Sequence, residues 1–261
     1  GMVDSKFGTA IETGQAMELI KAALKMKNVS VEGFHCHVGS QVFGEDVYQR
    51  TSLIMLRFFA RLKKELGFET KQFDIGGGYG VRYVDSDADI DIAARIDEVA
   101  DYMKSTAAAL GIALPKILME PGRSIAADAG LTLYTAGSVK RIPGYKNYVS
   151  VDGGMTDNPR YALYGSRYTV YSAARMSEKP DFMCDLVGRC CESGDIIQPG
   201  VYLPEPRRGD IITVCTTGAY NYSMASNYNR LPRPAVVMLD GNNDYIAVRR
   251  ETMEDLTRCD M

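Results

Sequence analysis

The 261 residues predict an α/β region followed by a β-rich region. Two observations carry this reading. Over residues 1–130, apolar positions at helical spacing alternate with short apolar runs, each run ending in polar or glycine-rich residues. From residue 131 onward, strand-like runs separated by turn sequences such as Asp152-Gly153-Gly154 and Asp240-Gly241-Asn242-Asn243 take over. The boundary is read near Gly130, giving a first domain over 1–130 and a second over 131–261.

In the first region, residues 13–26 place Ala16, Met17, Ile20, Ala23 and Leu24 at helical spacing. Residues 29–37 alternate Val29, Val31, Gly33 and His35 with Ser30, Glu32, Phe34 and Cys36, which is a strand. Residues 46–66 read as a long helix that buries Leu53, Ile54, Leu56, Phe58, Phe59 and Leu62. A strand ends at Ile75. Residues 92–110 form a helix, with Gly111 in the expected place beyond its carboxyl end. Residues 116–120 form a short strand, closed by Pro121-Gly122. This order implies right-handed parallel βαβ units. His37-Val38-Gly39-Ser40, Gly76-Gly77-Gly78 and Glu120 to Arg123 each follow a strand. That is the pattern of a barrel top or the crevice of a doubly wound sheet.

In the second region, strands are expected over 131–139, 148–151, 195–197, 210–215, 235–239 and 245–249. Tyrosine is crowded there: Tyr161, Tyr164, Tyr168, Tyr171, Tyr220, Tyr222 and Tyr228. Rigid rings with polar tips suit ligand contact or an interface. Strand propensity explains them equally well.

The formal net charge is −3, and no basic block is present, which argues against nucleic acid as a partner. No apolar run approaches the roughly 20 residues that span a bilayer. No secretory signal is read, and six scattered cysteines fit a reducing, cytoplasmic setting.

Four stretches could carry chemistry. Gly76-Gly77-Gly78 after a strand can expose backbone N–H groups as an anion nest, or can be only a tight turn. It is not a dinucleotide fingerprint, because Val81 stands where the third glycine belongs, and no Gly-Lys-Ser/Thr follows. His35-Cys36-His37 puts two imidazoles on one strand face. They could ligate a metal with help from Asp74, Glu120, Cys190 or Cys191, could be one core and one polar histidine, or could stack on a flat cofactor ring. Glu120-Pro121-Gly122-Arg123 is either a salt-bridged corner or a carboxylate aimed at a ring nitrogen beside a guanidinium aimed at phosphate or carboxylate. Cys190-Cys191-Glu192 could supply a proton donor or nucleophile, or a buried apolar thiol. Arg160, Tyr164 and Tyr220 add polar groups in loops of the second region.

Taken in order, His35-Cys36-His37-Val38-Gly39-Ser40-Gln41, Asp74-Ile75-Gly76-Gly77-Gly78, Glu120-Pro121-Gly122-Arg123-Ser124, Cys191-Glu192-Ser193-Gly194-Asp195 and Gly218-Ala219-Tyr220 resemble the fold-type III pyridoxal-phosphate decarboxylases. The run Ser223 to Asn229 before Arg230-Leu231-Pro232-Arg233-Pro234 resembles the diaminopimelate decarboxylases among them. The resemblance covers essentially the whole chain. It implies the last three strands of a TIM-type (β/α) barrel, then an antiparallel β-barrel or sandwich domain. It implies pyridoxal 5'-phosphate, with His37 on the ring, Ser40, Gly76, Gly77 and Gly78 at the phosphate, and Glu120 at the pyridine nitrogen. Pro121, Gly122 and Arg123 would line the cofactor site. Arg123, Arg160, Tyr164 and Glu192 would hold the substrate, Tyr220 would touch both, and Cys191 would protonate the α-carbon. A homodimer sharing its active sites is implied, with an amino-acid substrate and no metal.

One departure stands out. The family's Schiff-base lysine, in a Tyr-Ala-x-Lys-Ala-Asn-like motif, has no counterpart here, and Ser5-Lys6-Phe7-Gly8 resembles the segment after the fifth barrel strand. Lys71 and Lys116 sit at the amino ends of strands and Lys6 in a loop. The expectation is therefore that this chain decarboxylates diaminopimelate only with the rest of the barrel, whether encoded separately or not. Alternatives are a decarboxylase of D-ornithine or D-lysine type, a non-catalytic decarboxylase-like binding protein, or a metallohydrolase using His35 and His37.

Overall fold

The computed structural model describes residues 5–261, so the first four residues of the expected 1–130 domain lie outside it. The described residues form two compact units, one from residues 5–81 and 88–124, the other from 82–87 and 125–261. The division falls between Ser124 and Ile125 rather than at Gly130. Gly130 belongs with the second unit because it packs directly on Gly218: a Cβ added to Gly130 would lie 2.4 Å from the Gly218 Cα. Residues 82–87 join that unit through Thr169, whose N–H and hydroxyl both donate to the Tyr83 carbonyl (3.0 and 2.8 Å).

The first unit contains α1 (Gln15–Ala23), β1 (Gly33–His35), α2 (Val47–Leu66), β2 (Gln72–Asp74), α3 (Ile92–Ala109) and β3 (Lys116–Leu118). The three strands form a parallel sheet in the order β1-β2-β3, with Phe34 opposite Phe73 and Phe73 opposite Ile117. Asp91 caps α3 by accepting from the Ala94 N–H, and Gly67 ends α2 at φ 66°. The core joins Leu56, Phe58, Phe59 and Leu62 of α2 to Phe73, Ile75, Val99 and Met103. Each such fully buried side chain contributes roughly 1.5–3 kcal/mol of transfer free energy.

Two expectations are corrected here. Ile54, expected in the core, is 51% exposed, while Met55 and Ser52 are buried. The buried stripe of α2 runs through Ser52, Met55, Leu56, Phe59 and Leu62, at steps of three and four, and Ile54 falls outside it. The strand expected over 29–37 pairs only over Gly33–His35. Gly33 marks where the backbones draw close: a Cβ there would lie 2.0 Å from the Gln72 carbonyl oxygen.

A single helical turn, α4 (Arg123–Ala126), leads into the second unit. That unit contains β4 (Leu131–Ile142), β5 (Lys146–Val151), α5 (Arg160–Tyr164), β6 (Val170–Ser172), β7 (Phe182–Val187), β8 (Ile196–Leu203), β9 (Ile211–Cys215), β10 (Val236–Asp240), β11 (Asn243–Val248) and α6 (Met253–Thr257). Six strands form one sheet in the order β6-β9-β4-β5-β7-β8, and β10 and β11 form a separate hairpin. The end strands β6 and β8 approach one another, so the sheet curls on itself. The Tyr168 N–H ahead of β6 donates to the Gln198 Oε1 of β8 at 2.8 Å.

The sheet is not wholly antiparallel as expected: β5 and β7 pair in parallel. The long excursion through α5 and β6 between them supplies the crossover that parallel neighbours need. Strands β6 and β7 were not legible as strands. The β7 sequence carries a buried Asp185 between Cys184 and Leu186, and that carboxylate is satisfied by Lys146 Nζ at 2.8 Å and the Gly200 N–H at 2.9 Å. Among the described residues, no helix is long and apolar enough to cross a membrane.

Candidate active site

In the first unit the site is built on backbone. Asp74 ends β2 and its Oδ1 accepts from the Gly76 N–H (2.8 Å), folding the chain into the glycine turn. Gly76 and Gly78 adopt φ of 74° and 100°, in the region that favours glycine. Side chains are also excluded by close approach. A Cβ on Gly76 would lie 2.7 Å from the Cys36 carbonyl and 2.9 Å from His37 Nδ1. On Gly77 it would lie 2.1 Å from the Glu120 carbonyl, and on Gly78 2.2 Å from that of Gly39. The Glu120 N–H donates to the Gly76 carbonyl (2.9 Å), and the Val42 N–H to that of Gly78 (2.9 Å). Gln41 clasps Val81 twice through its side-chain amide. The carboxyl ends of β1, β2 and β3 are thereby drawn together, with His37 and Glu120 on either side of the glycine turn.

The charged groups around this turn are paired. Ser40 accepts from Arg123 Nη2 at 2.7 Å, and Arg123 is only 8% exposed. Glu120 Oε2 lies 3.2 Å from His35 Nε2, and both side chains are more than half exposed. His35, Asp74 and Glu120 bring one ligand-type atom each within 4.8 Å of one another. The histidine in this trio is His35; His37 instead lies against Gly76 and Gly78. Pro121 is half-buried and Gly122 exposed. Tyr48, which the sequence did not single out, stacks on Tyr79 (4.6 Å) and donates to the Gly77 carbonyl at 3.2 Å. Burial, and then the neighbouring Tyr79, raises the Tyr48 phenol well above its ordinary range.

In the second unit, side chains do the positioning. Arg160 opens α5 and is 5% exposed; Tyr164 closes it and is exposed. The Arg160 Nη1 donates to the Tyr168 hydroxyl at 2.9 Å, and its guanidinium lies 4.9 Å from the Tyr83 ring centre and 5.7 Å from that of Tyr168. The Tyr168 hydroxyl in turn donates to Asn158 Oδ1 at 3.2 Å. Ahead of α5, Asp157 accepts from the Gly154 N–H (2.9 Å) and the Tyr134 hydroxyl (2.5 Å). Burial raises the Asp157 carboxyl above its ordinary range, and burial together with Asp157 raises Tyr134 well above its own.

Cys191 and Glu192 share one exposed loop. Asn229 Oδ1 accepts from the Cys191 N–H at 2.8 Å. Asp195, buried at the end of the loop, accepts from the N–H groups of Met155 (2.6 Å) and Cys190 (2.7 Å). It thus ties this loop to the turn that feeds α5. Burial, then the neighbouring Asp195, raises the Cys190 thiol. Tyr220 is exposed with φ 67°, a conformation costly for a non-glycine residue by on the order of 1–3 kcal/mol. It follows Gly218, where a Cβ would lie 1.8 Å from the Ala126 carbonyl. Asp195, Asn229, Asn158, Tyr168 and Tyr83 were missed as site-builders. Asp195 closes the Cys191–Asp195 motif and Asn158 lies two residues before Arg160, which is the available signal.

Residues 1–127 match the family model described as pyridoxal-dependent decarboxylase, pyridoxal binding domain. Across all 261 residues the chain is 40% identical to a diaminopimelate decarboxylase of Bacillus subtilis, covering 60% of that protein. It is 39% identical to one of Mycobacterium tuberculosis strain H37Rv, over 97% of this chain and 59% of that protein. Among solved structures, diaminopimelate decarboxylase from M. jannaschii in complex with L-lysine superposes with a TM-score of 0.89 at 32% identity, covering 99% of this chain and 58% of that one. The Helicobacter pylori enzyme complexed with L-lysine gives 0.82 at 32% identity, covering 99% and 61%. The chain thus spans about 60% of the length of the curated relatives it matches. With a glycine turn, a histidine and a carboxylate gathered at three parallel strand ends, the chain is similar from end to end to the pyridoxal-phosphate-dependent decarboxylases.

Proposed function

We propose that the protein carrying this chain decarboxylates meso-diaminopimelate to L-lysine, and that β1, β2 and β3 are the last three strands of its (β/α)8 barrel. The family's lysine motif is absent from these 261 residues. In this proposal the anchoring lysine and the other barrel strands come from sequence outside them. The six unpaired cysteines favour a reducing, cytoplasmic setting.

The observation that carries the reading is the meeting of His37, Glu120 and the glycine turn at one place. A turn with no room for a Cβ, beside a serine and a buried arginine, fits a phosphate group. An imidazole and a carboxylate flanking it fit a flat protonated heterocycle. Pyridoxal 5'-phosphate, when bound, supplies the electron sink for the pair released as carbon dioxide leaves an α-amino acid. The chain's own residues do the rest. Ser40 and the backbone N–H groups of Gly77 and Gly78 would hold the phosphate, the Gly76 N–H being engaged by Asp74. His37 would pack against the ring, and Glu120 would accept from the ring N–H and keep the proton there. Arg123 reaches phosphate or substrate carboxylate. Arg160, Tyr164 and Glu192 grip the far end of the substrate, Tyr220 touches substrate and cofactor, and Cys191 delivers a proton from Sγ to the α-carbon. Cys191 and Glu192 are contributed across a homodimer, completing the neighbouring subunit's site.

A buried guanidinium favours a substrate with a second carboxylate over D-ornithine or D-lysine, whose far ends are cationic. The test is lysine formation from meso-diaminopimelate by the full-length protein with added pyridoxal phosphate. Glu120→Gln is expected to lower kcat on the order of 100-fold, as for loss of a group acting on the developing charge. Full activity in that variant, or turnover of D-lysine in preference to diaminopimelate, would overturn the assignment.

A further inference from the structure

We propose that Tyr168, steadied by Asn158, positions the Arg160 guanidinium for the far carboxylate of a dicarboxylic amino acid; this rests on the reading of Arg160 given above. Arg160 is a buried cation, and a cation removed from water is costly unless paired. Among the described residues no carboxylate pairs with it. Its guanidinium is held instead by the Tyr168 hydroxyl and by the faces of two tyrosine rings. The rings themselves are locked edge-to-face at 5.6 Å and 79°. Neutral partners fix the direction of the guanidinium and leave its charge uncompensated.

Among the described residues, the surroundings hold buried polar atoms without partners, two amide N–H groups and one amide oxygen. The Asn158 Nδ2 and both polar side-chain atoms of Asn221 are buried and make no hydrogen bond among the described residues. Asn158 holds the Tyr168 phenol, and Asn221 abuts the same phenol. A carboxylate brings two oxygens and about four acceptor sites. It satisfies the unused donors and neutralises the cation together, which an alkylammonium end cannot do. Tyr168 is then a positioning residue: it acts on the substrate through Arg160, and through it the protein selects a second carboxylate.

Three variants of the full-length protein, assayed with meso-diaminopimelate, separate the possibilities. Tyr168→Phe keeps the ring and removes the hydroxyl; KM is expected to rise about tenfold, as for a lost charge-assisted hydrogen bond, with kcat within about threefold. Arg160→Met is expected to raise KM on the order of 100-fold. In the double variant the Tyr168 effect should vanish, because the two act as a unit. A merely structural Tyr168 would give additive effects and would overturn the proposal. So would an unchanged KM in Tyr168→Phe when Arg160→Met is impaired. An unchanged KM in Arg160→Met would instead overturn the reading of Arg160 itself. Should Tyr168→Phe fail to fold, Asn158→Ala removes only the phenol's acceptor; a KM increase of about threefold is expected, and none would overturn the proposal.

Discussion

The two units order their candidate residues by opposite means. In the first, the surface is main chain: three glycines admit three strand ends to van der Waals contact, with the His37 imidazole and the Glu120 carbonyl against them. In the second, the surface is side chain held by side chain: Arg160 by Tyr168, Tyr168 by Asn158, the Cys191 loop by Asp195 and Asn229. The first arrangement cannot be adjusted without moving backbone. The second can be retuned one residue at a time.

The contrast can be broken or sharpened by substitution. The largest effect is expected from Gly77→Ala, whose Cβ would meet the Glu120 carbonyl at 2.1 Å, with backbone on both sides of the clash. Overpacking of this kind costs about 1–3 kcal/mol or more. An absorbance titration should show cofactor binding weakened beyond 100-fold, and a melt should show lost stability. Wild-type binding would mean the first unit is as adaptable as the second.

Asp195→Ala should come next. It leaves the N–H groups of Met155 and Cys190 without their acceptor, at roughly 1–3 kcal/mol for each buried donor. Proteolysis should then cut first within 188–195, while cofactor binding is retained. Tyr134→Phe removes the hydroxyl that donates to Asp157 and should cost about 1 kcal/mol in denaturant unfolding.

Acidity provides a finer test. The folded Asp157 carboxyl titrates above its ordinary value, so between that value, about 3.9, and its raised one the folded state holds the extra proton. Its contribution to stability therefore falls as pH rises through this window, and Asp157→Asn should remove that slope from a melting series. The smallest effect concerns Glu251, which the Arg233 guanidinium, at 2.7 Å, depresses to about 2. Its contribution is complete above the ordinary glutamate range and is lost as pH falls toward 2. At this part-buried pair near the surface, screened by solvent, it amounts to about 1 kcal/mol or less, readable as a pH slope absent in Glu251→Gln.

What was legible in the sequence follows the same division. Helices α2 and α3 and strands β2 and β3 announce themselves by periodicity and by Gly67 and Gly111 at their ends. The glycine turn and Glu120 were readable because strand ends carry their polar residues at fixed places. By contrast, nothing local marks Tyr168 as the partner of Arg160 among so many tyrosines. Strand β7 was hidden by its buried Asp185, whose lysine partner lies on β5. Ile54 was misassigned because a helix with apolar residues all along one stretch does not by itself say where its stripe ends.

Residues 82–87 leave the first unit, lend Tyr83 to the second, and return. Neither unit is therefore one uninterrupted stretch of gene. A truncation starting at Ile125 would discard the aromatic floor under Arg160 along with the carbonyl that Thr169 grips twice. Dissecting this protein calls for grafting that six-residue loan back, or for a circularly permuted chain, before the isolated β unit can be asked to recognise anything.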